Sequence, residues 1–203
     1  MKARRDKILD VAVALAEEGG FDNVRQRDVA ARAGVALGTL YKSFRSKEEI
    51  LSASLERETE MLERRMELKP ATGATPVERI ENFFGIVTRG FCRRPKYARA
   101  VIRAMASGEP EVASKVMARQ ERVSGLIIAA MRGVGRLSYG DAKAAPPSKK
   151  ETQMAFMLEQ YWFASLVGWS AGLISLNQVV DQMRAIAVVL DRGIDDDKPE
   201  KSR

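Results

Sequence analysis

The stretch from Gln26 to Glu49 constrains the fold of this chain most strongly, because it predicts two short helices joined by a tight turn. Small apolar residues mark the inner side of the first helix: Val29, Ala30 and Ala33. Gly34 follows where the chain must turn, since glycine takes a positive φ at low cost. Leu40 and Phe44 supply the buried side of the second helix. Two short helices arranged in this way form a helix-turn-helix.

The residues outside this predicted core are suited to phosphates and groove edges. The candidate DNA-binding residues are Arg25, Arg27, Leu37, Gly38, Thr39, Tyr41, Lys42 and Lys47. We expect Thr39, Tyr41 and Lys47 to contact phosphates, and the remaining residues of the second helix to lie near base edges. Ser46 and Glu49 predict a capping box, so the charge of Lys47 adds to a positive helix end. The alternative is a structural three-helix unit that binds no DNA.

The same stretch resembles the DNA-binding signature of the TetR family of bacterial transcriptional regulators. The matching residues are Gly20-Phe21, Gly34-Val35-Ala36-Leu37-Gly38-Thr39-Leu40-Tyr41 and Phe44-x-Ser46-Lys47-Glu48. Close resemblance covers residues 5–51, and the remainder agrees in helix number and length. Arg25 replaces a capping hydroxyl residue usual in the family, and Ser43 replaces a common aromatic residue or histidine. The resemblance thus implies one phosphate contact fewer at Ser43 and a further one from Arg25.

Composition narrows the class of protein. The net charge of +7 and the pI near 9.7 favour a polyanionic partner. Histidine is absent from all 203 residues, which removes histidine-based zinc sites, Ser-His-Asp triads and the usual general base. We therefore expect no enzyme, no metal site and no cofactor.

Cysteine content and hydropathy bear on the compartment. Cys92 is the single cysteine, so no intrachain disulfide can form and a reducing, cytoplasmic location is expected. Residues 1–20 carry charges throughout and lack the apolar core of a signal peptide. No apolar run reaches the 18 or so residues of a membrane span, so no membrane partner is expected.

Helical periodicity and capping signals predict an all-α fold of about nine helices. Three of them form the N-terminal DNA-binding head, and six form the remainder. We expect a helix-turn-helix DNA-binding domain at 1–47, a helical ligand-binding and dimerisation domain at 48–194, and a disordered tail at 195–203. Thr75 and Ser148 start further capping boxes. Residues 133–148 are expected to form a surface loop. Phe21 and Val24 are expected in the core of the head.

Residues 151–190 predict two helices, the first with two apolar faces. One stripe is large, Trp162, Leu166, Trp169 and Leu173, and the adjacent stripe is Tyr161, Ser165, Gly168 and Gly172. One face would pack on the core and the other on the same helix of a second subunit, giving a homodimer. The alternative is a helix wholly buried in one subunit. In the TetR family the last two helices commonly form the dimer.

The remaining apolar residues are rich in methionine and aromatic side chains, which suit either a plain core or an adaptable cavity. The resemblance favours a cavity with these candidate ligand-binding residues: Phe83, Phe84, Val87, Phe91, Val101, Met105, Ile127, Met131, Met157, Tyr161, Trp162 and Ser165. A basic run follows nearby: Arg89, Arg93, Arg94, Lys96, Arg99 and Arg103. It would form either a solvated face or a receptor for an anionic ligand head.

Together these features predict a ligand-responsive regulator, most simply a repressor released from an inverted-repeat operator by a lipophilic molecule such as a fatty-acyl or sterol-derived compound. The segments Gly73-Ala74-Thr75-Pro76 and Gly38-Thr39-Leu40-Tyr41 resemble those of actinobacterial repressors of sterol catabolism. The alternative is a constitutive DNA-binding or architectural protein without an effector.

Overall fold

The computed structural model describes residues 2–108, 110–137 and 145–194. Over these ranges the chain forms nine α-helices, a short 3-10 helix and no strand, which confirms the predicted all-α fold. The helices are α1 (Lys2–Gly19), the 3-10 helix (Phe21–Asn23), α2 (Gln26–Ala33), α3 (Leu37–Ser43), α4 (Lys47–Leu68), α5 (Pro76–Cys92), α6 (Pro95–Met105), α7 (Pro110–Arg132), α8 (Lys149–Ser170) and α9 (Leu176–Gly193). None of them, within the described ranges, is long and apolar enough to span a membrane. The predicted tail at 195–203 and part of the predicted loop, 138–144, lie outside the described residues.

Side-chain caps fix the predicted helix starts. The hydroxyl of Ser46 accepts from the third residue of α4 at 3.1 Å, and Thr75 does the same for α5 at 3.2 Å. Ser148 and Glu151 form a reciprocal capping box at the start of α8. A further capping box, which was not predicted, begins α9 at Ser175.

One compact unit, unit 1, comprises residues up to Glu60 together with Phe91–Arg119. Its core joins α1, α2 and α3 to the first part of α4 and to α6. The largest fully buried side chains of this core are Ile8, Leu40, Phe44, Ile50, Leu51 and Tyr97. The hydroxyl of Tyr97 lies 3.0 Å from the hydroxyl of Ser54 on α4, and both residues are fully buried. Val24 is buried as predicted, whereas Phe21 is only partly buried at the edge of the core.

The second compact unit, unit 2, comprises Met61–Gly90 and Gln120–Arg203, as far as these residues are described. Its core is formed by α5, the second part of α7, α8 and α9. The largest fully buried side chains are Ile80, Phe83, Phe84, Ile127, Leu158 and Met183. Arg79 on α5 donates to the carbonyls of Ala130 and Met131, which satisfies groups that the end of α7 leaves without helical partners.

The compact units divide the chain differently from the predicted domains. The three head helices share unit 1 with α6 and with α4 up to Glu60, instead of ending at residue 47. The division into a DNA-binding domain at 1–47 and a ligand-binding domain at 48–194 stays a prediction about function.

Candidate nucleic-acid interface

The turn between α2 and α3 has the geometry that the sequence predicts. Gly34 ends α2 with φ 67°, in the left-handed region that favours glycine. The backbone N–H of Val35 donates to the carbonyl of Ala30 at 3.0 Å, which closes the helix end. In α3 only Leu40 is fully buried, and Phe44 follows it into the core. Gly38, Tyr41, Lys42 and Ser43 are exposed and can face a partner.

The predicted DNA-binding residues fall into three short segments of unit 1. Arg25 and Arg27 lie at the start of α2 and are exposed. The segment of α3 carries five of them: Leu37, Gly38, Thr39, Tyr41 and Lys42. Gly38, Tyr41 and Lys42 are exposed, while the other two are partly buried. Lys47 is the first residue of α4.

The start of α2 lacks the usual side-chain cap. Arg25 occupies the N-cap position in an extended conformation, and its side chain makes no capping hydrogen bond. Gln26 instead donates from its side-chain amide to the carbonyl of Phe44 at 3.2 Å, which ties the first turn of α2 to the end of α3. The guanidinium of Arg25 is thus not used to cap the helix.

Lys47 sits in a more structured environment than the sequence indicates. Its Nζ lies 3.9 Å from the centroid of the Phe21 ring and 3.7 Å from Oδ1 of Asp22. Ser46 caps the same helix end. The positive end of α4 and the ammonium therefore coincide, an arrangement suited to an anion. The participation of Phe21 and Asp22 was missed, because a sequence shows no contact between residues 25 positions apart.

The interior of unit 2 contains most of the predicted ligand-binding residues. Phe83 and Phe84 are buried with ring centroids 5.2 Å apart, and Phe84 lies 5.7 Å from the Trp162 ring. Nε1 of Trp162 donates to the hydroxyl of buried Thr88 at 2.9 Å. Ser165 is buried and donates to the side chain of Gln182 at 3.0 Å. Thr88 was not predicted as a site residue, since a single threonine on an apolar helix gives no distinctive pattern.

The other predicted ligand-binding residues are distributed more widely. Ile127 and Met131 are buried in the same core of unit 2, and Val87 packs against it. Phe91, Val101 and Met105 belong to the core of unit 1. Met157 and Tyr161 are exposed on α8.

Half of the basic run at the end of α5 and along α6 makes contacts within unit 1 that the structure defines. The contacts are Arg94 with Glu17 and Glu58, Lys96 with the carbonyl of Glu18, and Arg103 with Asp22. Arg89, Arg93 and Arg99 are exposed. Three of the six basic side chains thus contact other elements of unit 1, which neither of the two sequence-based interpretations anticipated.

The one cysteine has no features of a nucleophile. Cys92 is buried, and burial raises the pKa of its thiol to about 12. The thiol therefore stays protonated at neutral pH.

Comparisons with known proteins agree with this architecture. A family model described as "Bacterial regulatory proteins, tetR family" matches residues 8–53, and one described as "Tetracyclin repressor-like, C-terminal domain" matches residues 73–190. The HTH-type transcriptional repressor KstR of Rhodococcus jostii is 32% identical over 98% of this chain and 87% of its own length. The repressor of the same name from Mycobacterium tuberculosis is 30% identical over 83% of this chain and 71% of its own length.

Solved structures show the same fold. A TetR transcriptional regulator from Rhodococcus sp. RHA1 superimposes with a TM-score of 0.78 at 26% identity, covering 95% of this chain and 97% of the other. Thermus thermophilus FadR, a TetR-family repressor solved in complex with lauroyl-CoA, has a TM-score of 0.70 at 18% identity, covering 98% of this chain and 100% of the other. The helix-turn-helix geometry and both matched segments lead to one conclusion: this chain belongs to the TetR family of bacterial transcriptional regulators, which are DNA-binding regulators and not enzymes.

Proposed function

We propose that this protein is a cytoplasmic repressor that binds an inverted-repeat operator as a homodimer and is released by a lipophilic small molecule. The observation that carries the proposal is the shape of α3. Leu40 is the one fully buried residue of α3 and Leu37 packs against the same core, while Gly38, Tyr41 and Lys42 remain exposed. A Cβ added at Gly38 would have no atom within 4 Å, so the space over this residue is open to a DNA backbone or groove edge.

DNA contacts divide by chemistry in this proposal. Thr39, Tyr41 and Lys47 offer donors to phosphates, which position the head on the duplex but carry no sequence information. Leu37, Gly38 and Lys42 lie near base edges, where sequence is distinguished. A homodimer would set two copies of α3 about 34 Å apart, one turn of DNA, which requires an inverted repeat.

Substitution of Lys47 tests the phosphate assignment. Lys47→Ala should weaken binding to every sequence alike and reduce the slope of log K against log salt by about 1. Lys69→Ala is the matched control, because it removes an exposed lysine in unit 2, outside the candidate interface. A Lys47→Ala protein with altered base preference and an unchanged slope would contradict the assignment.

The homodimer is supported by an exposed apolar arc on α8. Phe156, Met157, Tyr161 and Val167 have exposed fractions of 49%, 45%, 38% and 40% in the single chain. Exposed side chains on α9 include Val189. Several large exposed apolar side chains on one helix are typical of a protein–protein contact. Met157 and Tyr161 fit this dimer face better than the wall of a ligand cavity.

The buried side of α8 does not coincide with either stripe predicted from the sequence, since each stripe has buried and exposed members. Ser165 is buried against α9 and Leu173 is exposed, so the unpartnered arc lies on the side of Met157 and Val167. Gly168 lies at its margin, where an added Cβ would meet the Ile174 side chain at 3.6 Å. We therefore place the dimer contact on this arc of α8 and on the exposed side of α9.

The effector site is proposed among the aromatic residues of unit 2. Phe83, Phe84 and Trp162 provide a largely apolar surface. Among the polar groups of this unit, Thr88 accepts from Trp162 and Ser165 donates to Gln182. Such surroundings select by shape and apolar contact, with one or two hydrogen bonds for orientation. A fatty-acyl or sterol-derived compound fits this chemistry, and the lauroyl-CoA complex of FadR supports an acyl ligand in this fold. Binding would favour a conformer of low DNA affinity by population shift.

Titration of the protein–DNA complex with fatty acids, their CoA thioesters and sterol-derived acids tests this proposal. We expect at least one class to release the DNA and to change the fluorescence of Trp162 in a Trp169→Phe background. If no class releases DNA while the complex itself is specific, the protein is a constitutive DNA-binding protein. Release by free acids and thioesters alike would indicate recognition of the apolar body.

A further inference from the structure

Two basic side chains share one aromatic ring and one carboxylate in unit 1. Nζ of Lys47 lies 3.9 Å from the centroid of Phe21, and Cζ of Arg103 on α6 lies 4.3 Å from the same centroid. Asp22 contacts both cations: Oδ1 is 3.7 Å from Nζ of Lys47, and Oδ2 is 2.9 Å from Nη1 of Arg103. We refer to Phe21, Asp22, Lys47 and Arg103 as the Asp22 cluster. It joins the 3-10 helix, the start of α4 and α6.

Exposure indicates that the Asp22 cluster contributes little to folding. The exposed side-chain fractions are 75% for Asp22, 60% for Arg103 and 27% for Lys47. Water screens exposed ion pairs, so their contribution to stability is small. The aromatic ring nevertheless holds the ammonium of Lys47 at the positive end of α4. The main effect of the cluster is therefore on which anion Lys47 binds.

The two contacts of Asp22 are unequal. The contact with Arg103 has the length of a charge-assisted hydrogen bond, whereas 3.7 Å to Lys47 is too long for one. Carboxylate and phosphate oxygens accept from an ammonium in the same way. Lys47 can therefore exchange Asp22 for a phosphate without breaking a close hydrogen bond, as long as Arg103 keeps the carboxylate.

We propose that Asp22 competes with DNA phosphate for Lys47, and that Arg103 limits this competition by holding the Asp22 carboxylate. Asp22 and Arg103 are then positioning residues that set DNA affinity without touching the bases. The inference rests on the proposed function, in which Lys47 contacts a phosphate.

Asp22→Asn removes the charge and keeps the shape of the side chain. We expect binding to all sequences to tighten about two- to fivefold near 0.1 M salt, the range of one exposed ion pair. The salt slope should steepen by up to about 1, because the charge of Lys47 would then no longer be partly neutralised by the Asp22 carboxylate. Glu18→Gln is the matched control: it removes an exposed carboxylate of α1 that pairs with Arg32, and it should leave the slope unchanged.

A double-mutant cycle separates competition from general repulsion between Asp22 and DNA. DNA affinity is measured by fluorescence anisotropy for wild type, Asp22→Asn, Lys47→Met and the double variant. The salt concentration runs from roughly 50 to 200 mM, a range over which phosphate contacts change the affinity strongly. We expect the gain from Asp22→Asn to disappear when Lys47 is methionine. A gain of equal size in both backgrounds would overturn the proposal.

Arg103 provides an independent second arm. Arg103→Ala should weaken DNA binding about two- to fivefold, and that loss should vanish in the Asp22→Asn background. Arg93→Ala, which removes an exposed arginine just before α6, controls for the change in net charge. If Arg103→Ala weakened DNA binding equally in the wild-type and the Asp22→Asn backgrounds, Arg103 would act on DNA directly or through its charge alone. That result would overturn the role proposed for Arg103.

Folding and function are controlled in the same series. Circular dichroism and thermal unfolding should be unchanged in Asp22→Asn and Arg103→Ala, since both residues are exposed. A wild-type protein that binds no DNA would overturn the proposed function and this inference together. If the wild type binds DNA specifically but the effect of Asp22→Asn does not depend on Lys47, only the inference about Asp22 would be overturned.

Discussion

Replacing Val167 with aspartate is the sharpest test of the dimer face. Full burial of a valine contributes about 1.5–3 kcal/mol. Val167 is 40% exposed in the single chain, so its burial in a dimer contributes about 1 kcal/mol per subunit. In a two-fold contact the change counts twice, which alone weakens dimerisation about 30-fold. Two carboxylates would also lose water, at several kcal/mol each when unpaired. We therefore expect Val167→Asp to raise the dimer Kd by more than about a thousandfold.

Sedimentation velocity over a dilution series measures this shift directly. Val167→Asp should sediment as a monomer at micromolar concentration, with the helical content of the wild type by circular dichroism. Leu68→Asp is the matched control, because it places the same charge on an exposed leucine at the end of α4, off the proposed face. That variant should stay dimeric.

Two results would contradict the position proposed for the dimer contact. A Val167→Asp protein with the wild-type dimer Kd would place the contact elsewhere than the exposed arc of α8. Equal dissociation of the Leu68→Asp protein would show that added charge, and not the position of Val167, disrupts the dimer.

Three further predictions concern stability, measured by urea unfolding. Gly34→Ala should cost about 1–2 kcal/mol, because the nearest atom to the new Cβ is 3.6 Å away and only the left-handed backbone opposes it. Tyr97→Phe should cost about 1 kcal/mol, since Ser54 keeps a 2.7 Å bond to a backbone carbonyl; a cost above about 3 would contradict this. Hydrogen bonding to Arg132 holds the pKa of Glu151 below its usual value, so that pair stabilises the fold above about pH 4.5 and loses this effect as the pH falls through the lowered pKa. Glu151→Gln should therefore destabilise at pH 7, and its cost should shrink as the protein is acidified.

Local signals made the helices predictable. Ser46, Thr75 and Ser148 cap helices through residues three positions away, and Gly34 supplies the one backbone conformation that the turn requires. Each of these caps and turns depends on a few residues that are adjacent in the sequence. The cap at Ser175 was missed although it has the same spacing, because glutamine, not glutamate, completes its box.

Pairings between distant residues were not predictable in the same way. The side chains that engage the basic run come from α1, the 3-10 helix and α4, and any of several carboxylates could have served. Phe21 was expected in the core, but its ring lies at the edge of the core and makes cation–π contacts with Lys47 and Arg103. Cation–π contacts leave no periodic pattern in a sequence.

The orientation of α8 was the hardest feature to predict. A helix that is apolar on most sides has no single hydrophobic direction, so periodicity does not decide which stripe faces inward. The hydrogen bond from Ser165 to Gln182 and the burial of Leu166 and Trp169 settle the inner side. Met157 and Tyr161 then fall on the outer arc, although both were predicted to line the ligand cavity.

Operator binding by a dimer can be measured by sequencing the genomic fragments that the purified protein retains. We predict that the enriched fragments share an inverted repeat whose half-sites are centred about 10–10.5 base pairs, or a multiple of that, apart. Lys47→Ala should reduce retention of all fragments without changing the shared sequence. Enrichment of no common sequence, or of unpaired half-sites alone, would contradict the account of a dimeric, operator-binding repressor.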